Sequence, residues 1–354
     1  MAIQWSIFSS FSAAARLPHA ALAASILTAS ITASAAQEVN VYSARKEALI
    51  KPMLERFTAD TNIKVNLVTG SADALLRRLQ VEGSASPADL FITVDAGRLY
   101  RAKKAGVLQP IQDAELEATI PANLKDNDDY WFGLSQRARV IFYNPQKVAP
   151  SELSTYEALA DSKWKGRICA RSSSNIYNQS LVASMIDADG QEATQKWLKG
   201  FVANFARPPF GGDSDLLKAA SAGVCDVTLA NTYYFGRMGN SDKAQDQAVF
   251  NKLAIFWPNQ GDNQRGAHVN VSGAGVTAAA EHKDNAVKLI RYLSAHEAQQ
   301  WYAEVNNEYP VVKGIEAPKV LQTFGTFKAD SLSLSVLGDN NRLAVELMDE
   351  AGWK

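Results

Sequence analysis

Apolar positions along the chain switch repeatedly between two periods. Residues 40–43 read as a short strand, and Leu49, Ile50, Met53, Leu54 and Phe57 then recur at the spacing of one helix face over 47–57. Pro52 falls in the first turns of that helix, where a missing N–H costs least. Residues 63–68 alternate as a second strand, and a helix over 73–81 follows Gly70 and Ser71. Residues 88–93 form a third strand, after which Asp95 is positioned as the N-cap of a helix reaching 105. Strand–helix alternation at this spacing predicts a parallel sheet covered on both faces.

A polar, irregular stretch over 108–129 then interrupts the pattern, and 131–143 restarts as a strand in which Arg137 and Arg139 share one face. Residues 145–159 read as a loop with a short helix, 167–170 as a strand, and 172–175 as the cap of a helix whose first turn carries Tyr177. Helices over 192–201 and 214–222 lead to a strand at 227–231, where Asn231 and Thr232 offer an N-cap for the next helix. Tyr233 and Tyr234 therefore fall where a strand hands over to a helix, a place where α/β folds put ligand contacts. Adjacent side chains cannot both face one core, so at least one of these phenols looks into an opening. A strand at 268–276 and helices over 285–293, 297–305 and 340–352 complete the pattern.

With 354 residues the chain can bury two cores. A formal net charge of −1 gives no basic field for nucleic acid and no polybasic patch for an anionic membrane. Cys169 and Cys225 lack C-x-x-C spacing, and His19, His268, His282 and His296 lack H-x-x-x-H spacing, which argues against a zinc site. Residues 1–36 read as an export signal: Arg16 precedes an uncharged run of apolar and small residues that ends in Ala33-Ser34-Ala35-Ala36. Cleavage near Ala36 and a periplasmic mature protein are expected; the long stretch ahead of Arg16 leaves membrane retention by the leader as the other reading. An oxidising compartment permits a disulfide between Cys169 and Cys225, and two separate buried thiols are the alternative.

No nucleophile elbow, phosphate loop or dinucleotide fingerprint occurs in the chain. What remains is a set of phenols at predicted strand–helix junctions: Tyr42, Tyr177, Tyr233 and Tyr234. Phenolate is a hard anionic oxygen donor, suited to a hard ion such as Fe³⁺. A free phenol titrates near pH ~10, so a phenolate at neutral pH needs a strong adjacent positive charge such as the metal itself.

Over most of its length after residue 36 the chain resembles the periplasmic ferric-iron-binding proteins that serve ABC importers. The motifs that carry the resemblance are Val41-Tyr-Ser-Ala-Arg45, Ser86-Pro-Ala-Asp-Leu-Phe91, Gly133-Leu-Ser-Gln-Arg-Ala-Arg139 and Lys163-Trp-Lys-Gly166. Ala230-Asn-Thr-Tyr-Tyr234, Val271-Ser-Gly-Ala-Gly275 and Glu308-Tyr-Pro310 follow in the same order. The resemblance implies an α/β, two-lobed periplasmic-binding-protein fold of type II that closes on iron in the inter-lobe cleft. It implies lobes of 37–137 with 268–315 and of 138–267 with 316–354, a monomer, and delivery of Fe³⁺ to an inner-membrane ABC permease.

Carried over singly, the family's tyrosine pair falls on Tyr233 and Tyr234, its third phenol on Tyr177, and the first-strand tyrosine of its tyrosine-rich branch on Tyr42. Some members also bind iron through a histidine and a glutamate. Here the stretch after Tyr42 reads Ser-Ala-Arg-Lys-Glu and the segment after Phe91 reads Ile-Thr-Val-Asp95, so both ligands are absent and four tyrosines are favoured. Asp95 is read as an N-cap ahead of its reading as a ligand. Four phenolates on Fe³⁺ leave a formal charge of −1, which Arg45, Arg137 and Arg237 are placed to offset, or to use in holding a synergistic anion beside the iron. Tyr143 and Tyr309 are read as packing residues. The rival reading is a receptor for a small organic or anionic solute, with tyrosines stacking on it and arginines gripping a carboxylate or phosphate. An enzyme is disfavoured because no acid–base pair stands out.

Overall fold

The computed structural model describes residues 37–354; the leader expected over 1–36 lies outside the described residues. Among the described residues eight strands follow one another as β1 (Glu38–Ser43), β2 (Lys64–Thr69), β3 (Leu90–Val94), β4 (Phe132–Tyr143), β5 (Ile168–Cys169), β6 (Val227–Asn231), β7 (Ala254–Phe256) and β8 (Val269–Val276). Their spatial order is β2-β1-β3-β8-β4-β6-β5, with β7 paired to β4. β1 runs parallel to β2 and β3, as the helical crossovers between them require. β8 and β4 instead enter antiparallel, so the sheet is mixed rather than all parallel.

The twelve residues of β4 organise this arrangement. Its first half, Phe132 to Ala138, pairs with β8, and its second half, Arg139 to Tyr143, pairs with β6 and β7. One strand thus leaves one sheet and continues in the next. A bulge between Gly133 and Ser135 shifts its register on the β8 side.

Each half has its own core. Val39, Val41, Leu90 and Ile92 pack with Leu289, Ile290 and Phe132, while Ile141, Trp164, Leu181, Trp197 and Phe201 form a second cluster. Phe142, Leu216, Leu217 and Phe235 cover the other face of the second half. These buried side chains are the periodic positions of the sequence, which is why the elements form where the pattern puts them. The C-terminal segment divides between the two cores. Leu334 and Leu337 join the first, and Ala344, Leu347 and Trp353 the second, whereas the sequence reading placed all of 316–354 with the second lobe.

Cys169 and Cys225 form a disulfide, which decides between the two readings of the pair. It ties the end of β5 to the segment leading into β6 across a sequence separation of 56. Loop-closure entropy for a ring of that size corresponds to about 4 kcal/mol. Cys169→Ser with Cys225→Ser is therefore expected to lower the urea midpoint and to steepen the slope, because the freed unfolded chain exposes more surface, and reduction of the wild type should reproduce both changes.

Candidate metal centre

β6 ends at Asn231, and the helix Thr232–Gly239 begins at the next residue. Asn231 occupies the N-cap position, but its side chain does not cap. Its Oδ1 accepts instead from Arg139 Nη1 at 3.2 Å, a partner the local sequence does not reveal. Tyr233 and Tyr234 sit in the first turn with ring centroids 4.3 Å apart and planes inclined by 33°. Tyr177 has an equivalent place on the helix Ile176–Asp189, where Asn175 caps the first turn by accepting from the Tyr177 backbone N–H at 3.1 Å.

The two helix starts converge, and the Tyr233 hydroxyl donates to the Tyr177 hydroxyl at 3.2 Å. Oxygens bound at about 2 Å to one hard metal ion in neighbouring positions lie roughly 3 Å apart, so this pair is already spaced for shared coordination. Burial pushes the Tyr233 phenol well above its ordinary pKa, the adjacent Tyr177 and Tyr234 add to the shift, and Arg137 opposes it. Burial also raises Tyr234, with Tyr177 and Asp213 adding. Both phenols therefore hold their protons at neutral pH until a stronger cation displaces them.

Cations surround the phenols. The Arg237 guanidinium lies 4.8 Å from the Tyr233 ring centroid and 5.7 Å from that of Tyr234, and Arg137 lies 5.8 Å from Tyr233. Arg137 and Arg45 share the buried carboxylate of Glu308, which also accepts from Ser135. Burial works against a charge at Glu308, but Arg137 and Arg45 outweigh it and hold the carboxyl at about 2. Arg45 is anchored further by Tyr302, which accepts from its Nε at 2.7 Å. Arg137 keeps Nε and Nη1 without a partner among the described residues. Glu308 was quoted in the sequence only as part of a motif; its two arginine partners are 263 and 171 positions away, so no local signal could assign it.

A cleft of about 150 Å³ brings these groups together. Tyr177, Tyr233, Tyr234 and Arg237 line it from the second half, and Ala44, Arg45, Lys46, Leu49 and Val94 from the first, with Arg137 and Glu308. Grooves of 510 Å³ beside Pro110 and Arg291 and of 620 Å³ beside Gln191 and Leu347 are larger, but neither lining contains a tyrosine. Chemistry rather than volume selects the smaller site. Lys46, exposed at this cleft, is a further cation that sequence reading passed over.

One sequence expectation changes and one holds. Tyr42 is not among the residues that line the cleft. It is 2% exposed, packs with Leu75, Leu79 and Phe91, and donates to both oxygens of Glu82 at 3.0 and 3.1 Å. Side chains alternate across a strand, and in β1 Val41 faces the first core while Tyr42 faces the opposite side. Tyr42→Phe should cost about 1.5–3 kcal/mol of stability through the lost hydrogen bond to a carboxylate, as urea unfolding would show.

Asp95 is an N-cap, its Oδ1 accepting from Gly97 N–H at 2.9 Å. Ser180 and the Asn270 amide donate to the same carboxylate, so its hydrogen bonds serve the fold.

The chain matches the family model for bacterial extracellular solute-binding proteins over residues 42–300. It is 51% identical over 318 residues to iron uptake protein A1 of Synechocystis sp. (strain ATCC 27184 / PCC 6803 / Kazusa), covering 90% of this chain and 88% of that one. It is 32% identical to the Fe(3+)-binding periplasmic protein of Serratia marcescens, covering 95% and 97%. Among solved structures, Trichodesmium FutA (IdiA) in complex with iron and citrate ligands superposes with a TM-score of 0.87 at 53% identity, over 90% of this chain and all of that one. The two-lobed architecture of such proteins is the one described above, and the chain belongs to the bacterial extracellular solute-binding protein family.

Proposed function

We propose that this chain is the periplasmic receptor of an ABC iron importer: it binds Fe³⁺ through Tyr177, Tyr233 and Tyr234 and passes it to an inner-membrane permease. The observation that carries the reading is the convergence of three phenols from two helix starts, two of their hydroxyls 3.2 Å apart, in a cleft rimmed by arginines. It is a binding protein, like its relatives, and not an enzyme.

Three phenolates neutralise Fe³⁺ and leave coordination positions open. The cleft supplies Arg45, Lys46, Arg137 and Arg237 against the single carboxylate of Glu308, so its lining is positive. An exogenous anion suits such a lining, with one oxygen on iron and the others on the guanidinium groups of the cleft. The relative solved with iron and citrate supports that reading. A cleft of about 150 Å³ holds an ion with a small anion, whereas pockets for organic ligands run to about 300–1,000 Å³.

Metal analysis and a visible spectrum of protein purified without chelator test the function. Bound iron with a phenolate charge-transfer band is expected. A colourless, iron-free protein whose melting shifts with an organic solute would move the rival reading to first place. Because protons compete for phenols whose pKa burial raises, affinity should fall as pH falls, by up to about tenfold per pH unit for each phenol displaced. Citrate competition across the neutral range, from about pH 6 to about pH 8, reads that slope.

We place the mature N-terminus near Ala36 or Gln37 and the mature protein, a monomer, in the periplasm. N-terminal sequencing of exported material that returned Met1 would sink the cleavage.

A further inference from the structure

We propose that Arg139, with Asp213 as its counter-ion, is the positioning residue that holds the two tyrosine-bearing helix starts in register, so that the donor face is assembled before iron arrives. The inference rests on the tyrosine reading above and assigns the groups that make those tyrosines a single site.

Arg139 lies on β4 with its side chain 2% exposed, outside the residues that line the cleft. Its Nη1 donates to Asp213 at 2.9 Å and to Asn231 Oδ1 at 3.2 Å. Its Nη2 donates to Asn178 Oδ1 at 2.7 Å and to the Leu229 carbonyl at 3.2 Å. Asn178 is the residue after Tyr177, and Asn231 lies two before Tyr233. A single planar guanidinium therefore grips both segments from which the phenols project.

The grip extends on each side. Asn178 Nδ2 donates to the carbonyls of Arg171 and Ser172 at 3.0 and 3.1 Å, which fixes the loop entering the Tyr177 helix. Asp213, fully buried, accepts from the Asn231 backbone N–H at 3.0 Å and from Arg171 at 3.4 Å. Tyr177 and Tyr233 meet at their hydroxyls, 3.2 Å apart, at the proposed iron position. Something behind the rings has to set that spacing. The rigid fork of a guanidinium does so better than flexible side chains, because less freedom is lost per bond formed. This also explains why Asn231 gives up capping its own helix: its Oδ1 serves Arg139.

The test uses the mature chain as wild type, Asn231→Ala and Asp213→Asn, with Tyr233→Phe as a control for ligand loss. Three quantities are read: Fe³⁺ affinity by citrate competition, the phenolate–iron charge-transfer band, and melting of the metal-free protein. Asn231→Ala removes one strut and keeps the ion pair. It should melt near the wild type yet bind iron about tenfold more weakly, with a shifted, weaker band. Asp213→Asn leaves two arginines without their counter-ion and should lose up to about 100-fold in affinity as well as melting lower. Variants that are folded at the assay temperature and keep wild-type affinity and band would overturn the proposal, leaving the network a stabilising role only. If Asp213→Asn fails to fold, Asn231→Ala decides alone. A wild type that shows no band at all overturns the tyrosine site itself, and the proposal with it.

Discussion

Replacing Tyr233 and Tyr234 together by phenylalanine is expected to abolish the visible band and to lower Fe³⁺ affinity by about 10⁴-fold. The magnitude follows from ligand arithmetic: structural zinc sites share about 10–16 kcal/mol among four ligands, or about 3 kcal/mol and a factor of about 100 for each donor lost. Phenylalanine keeps the ring contact between the two positions, whose centroids lie 4.3 Å apart, and removes only oxygen. Metal-free melting should therefore hold or rise slightly, because burying the Tyr233 hydroxyl is itself costly. Tyr177→Phe should lose one donor's worth. A double variant with full iron content and an intact band would show that the metal binds elsewhere.

Glu308→Ala should be the most destabilising single change at the cleft. Arg45 and Arg137 are 4% and 3% exposed, and each pairs with this carboxylate. Removing it leaves two buried guanidiniums uncompensated, and breaking a buried ion pair costs about 3–5 kcal/mol. The wild type carries the same dependence as an acid limit. With its native pKa at about 2 against an ordinary value of 4.5, Glu308 contributes stability that is fully present above 4.5 and is lost as pH falls towards 2. The shift corresponds to about 3 kcal/mol. Urea unfolding at successive pH values should show that fall for the wild type and a flatter profile for Glu308→Gln, which keeps the shape without the titration. An equally steep acid limit in Glu308→Gln would assign it to other carboxylates.

Much of this was legible in the chain. Hydrophobic periodicity is a local property, so β1, β3, β4, β6 and β8 and most helices lie where the pattern put them. Caps are local too: Asn175 and Asp95 do at their helix starts what their residue types and positions predict. The Tyr233–Tyr234 pair could be read because its strand–helix junction and its two adjacent rings occupy one short stretch.

What needed the tertiary structure depends on which face of an element looks where, and on partners far along the chain. Period-two alternation shows that Val41 and Tyr42 part company, but only pairing with β2 and β3 and packing under Glu82 decide which side Tyr42 takes. Asn231 has the residue type of a cap, yet a guanidinium from β4 competes for it and wins, since buried Arg139 has no water to turn to. Arg45 and Glu308 are likewise separated by most of the chain, and the ion pair that joins them exists only because β1, β4 and the segment after the helix His296–Asn306 meet. Local sequence carries the period and the cap. Charge pairing, facing and the joining of Cys169 to Cys225 are properties of the packed molecule, because each depends on two distant segments being brought to one place.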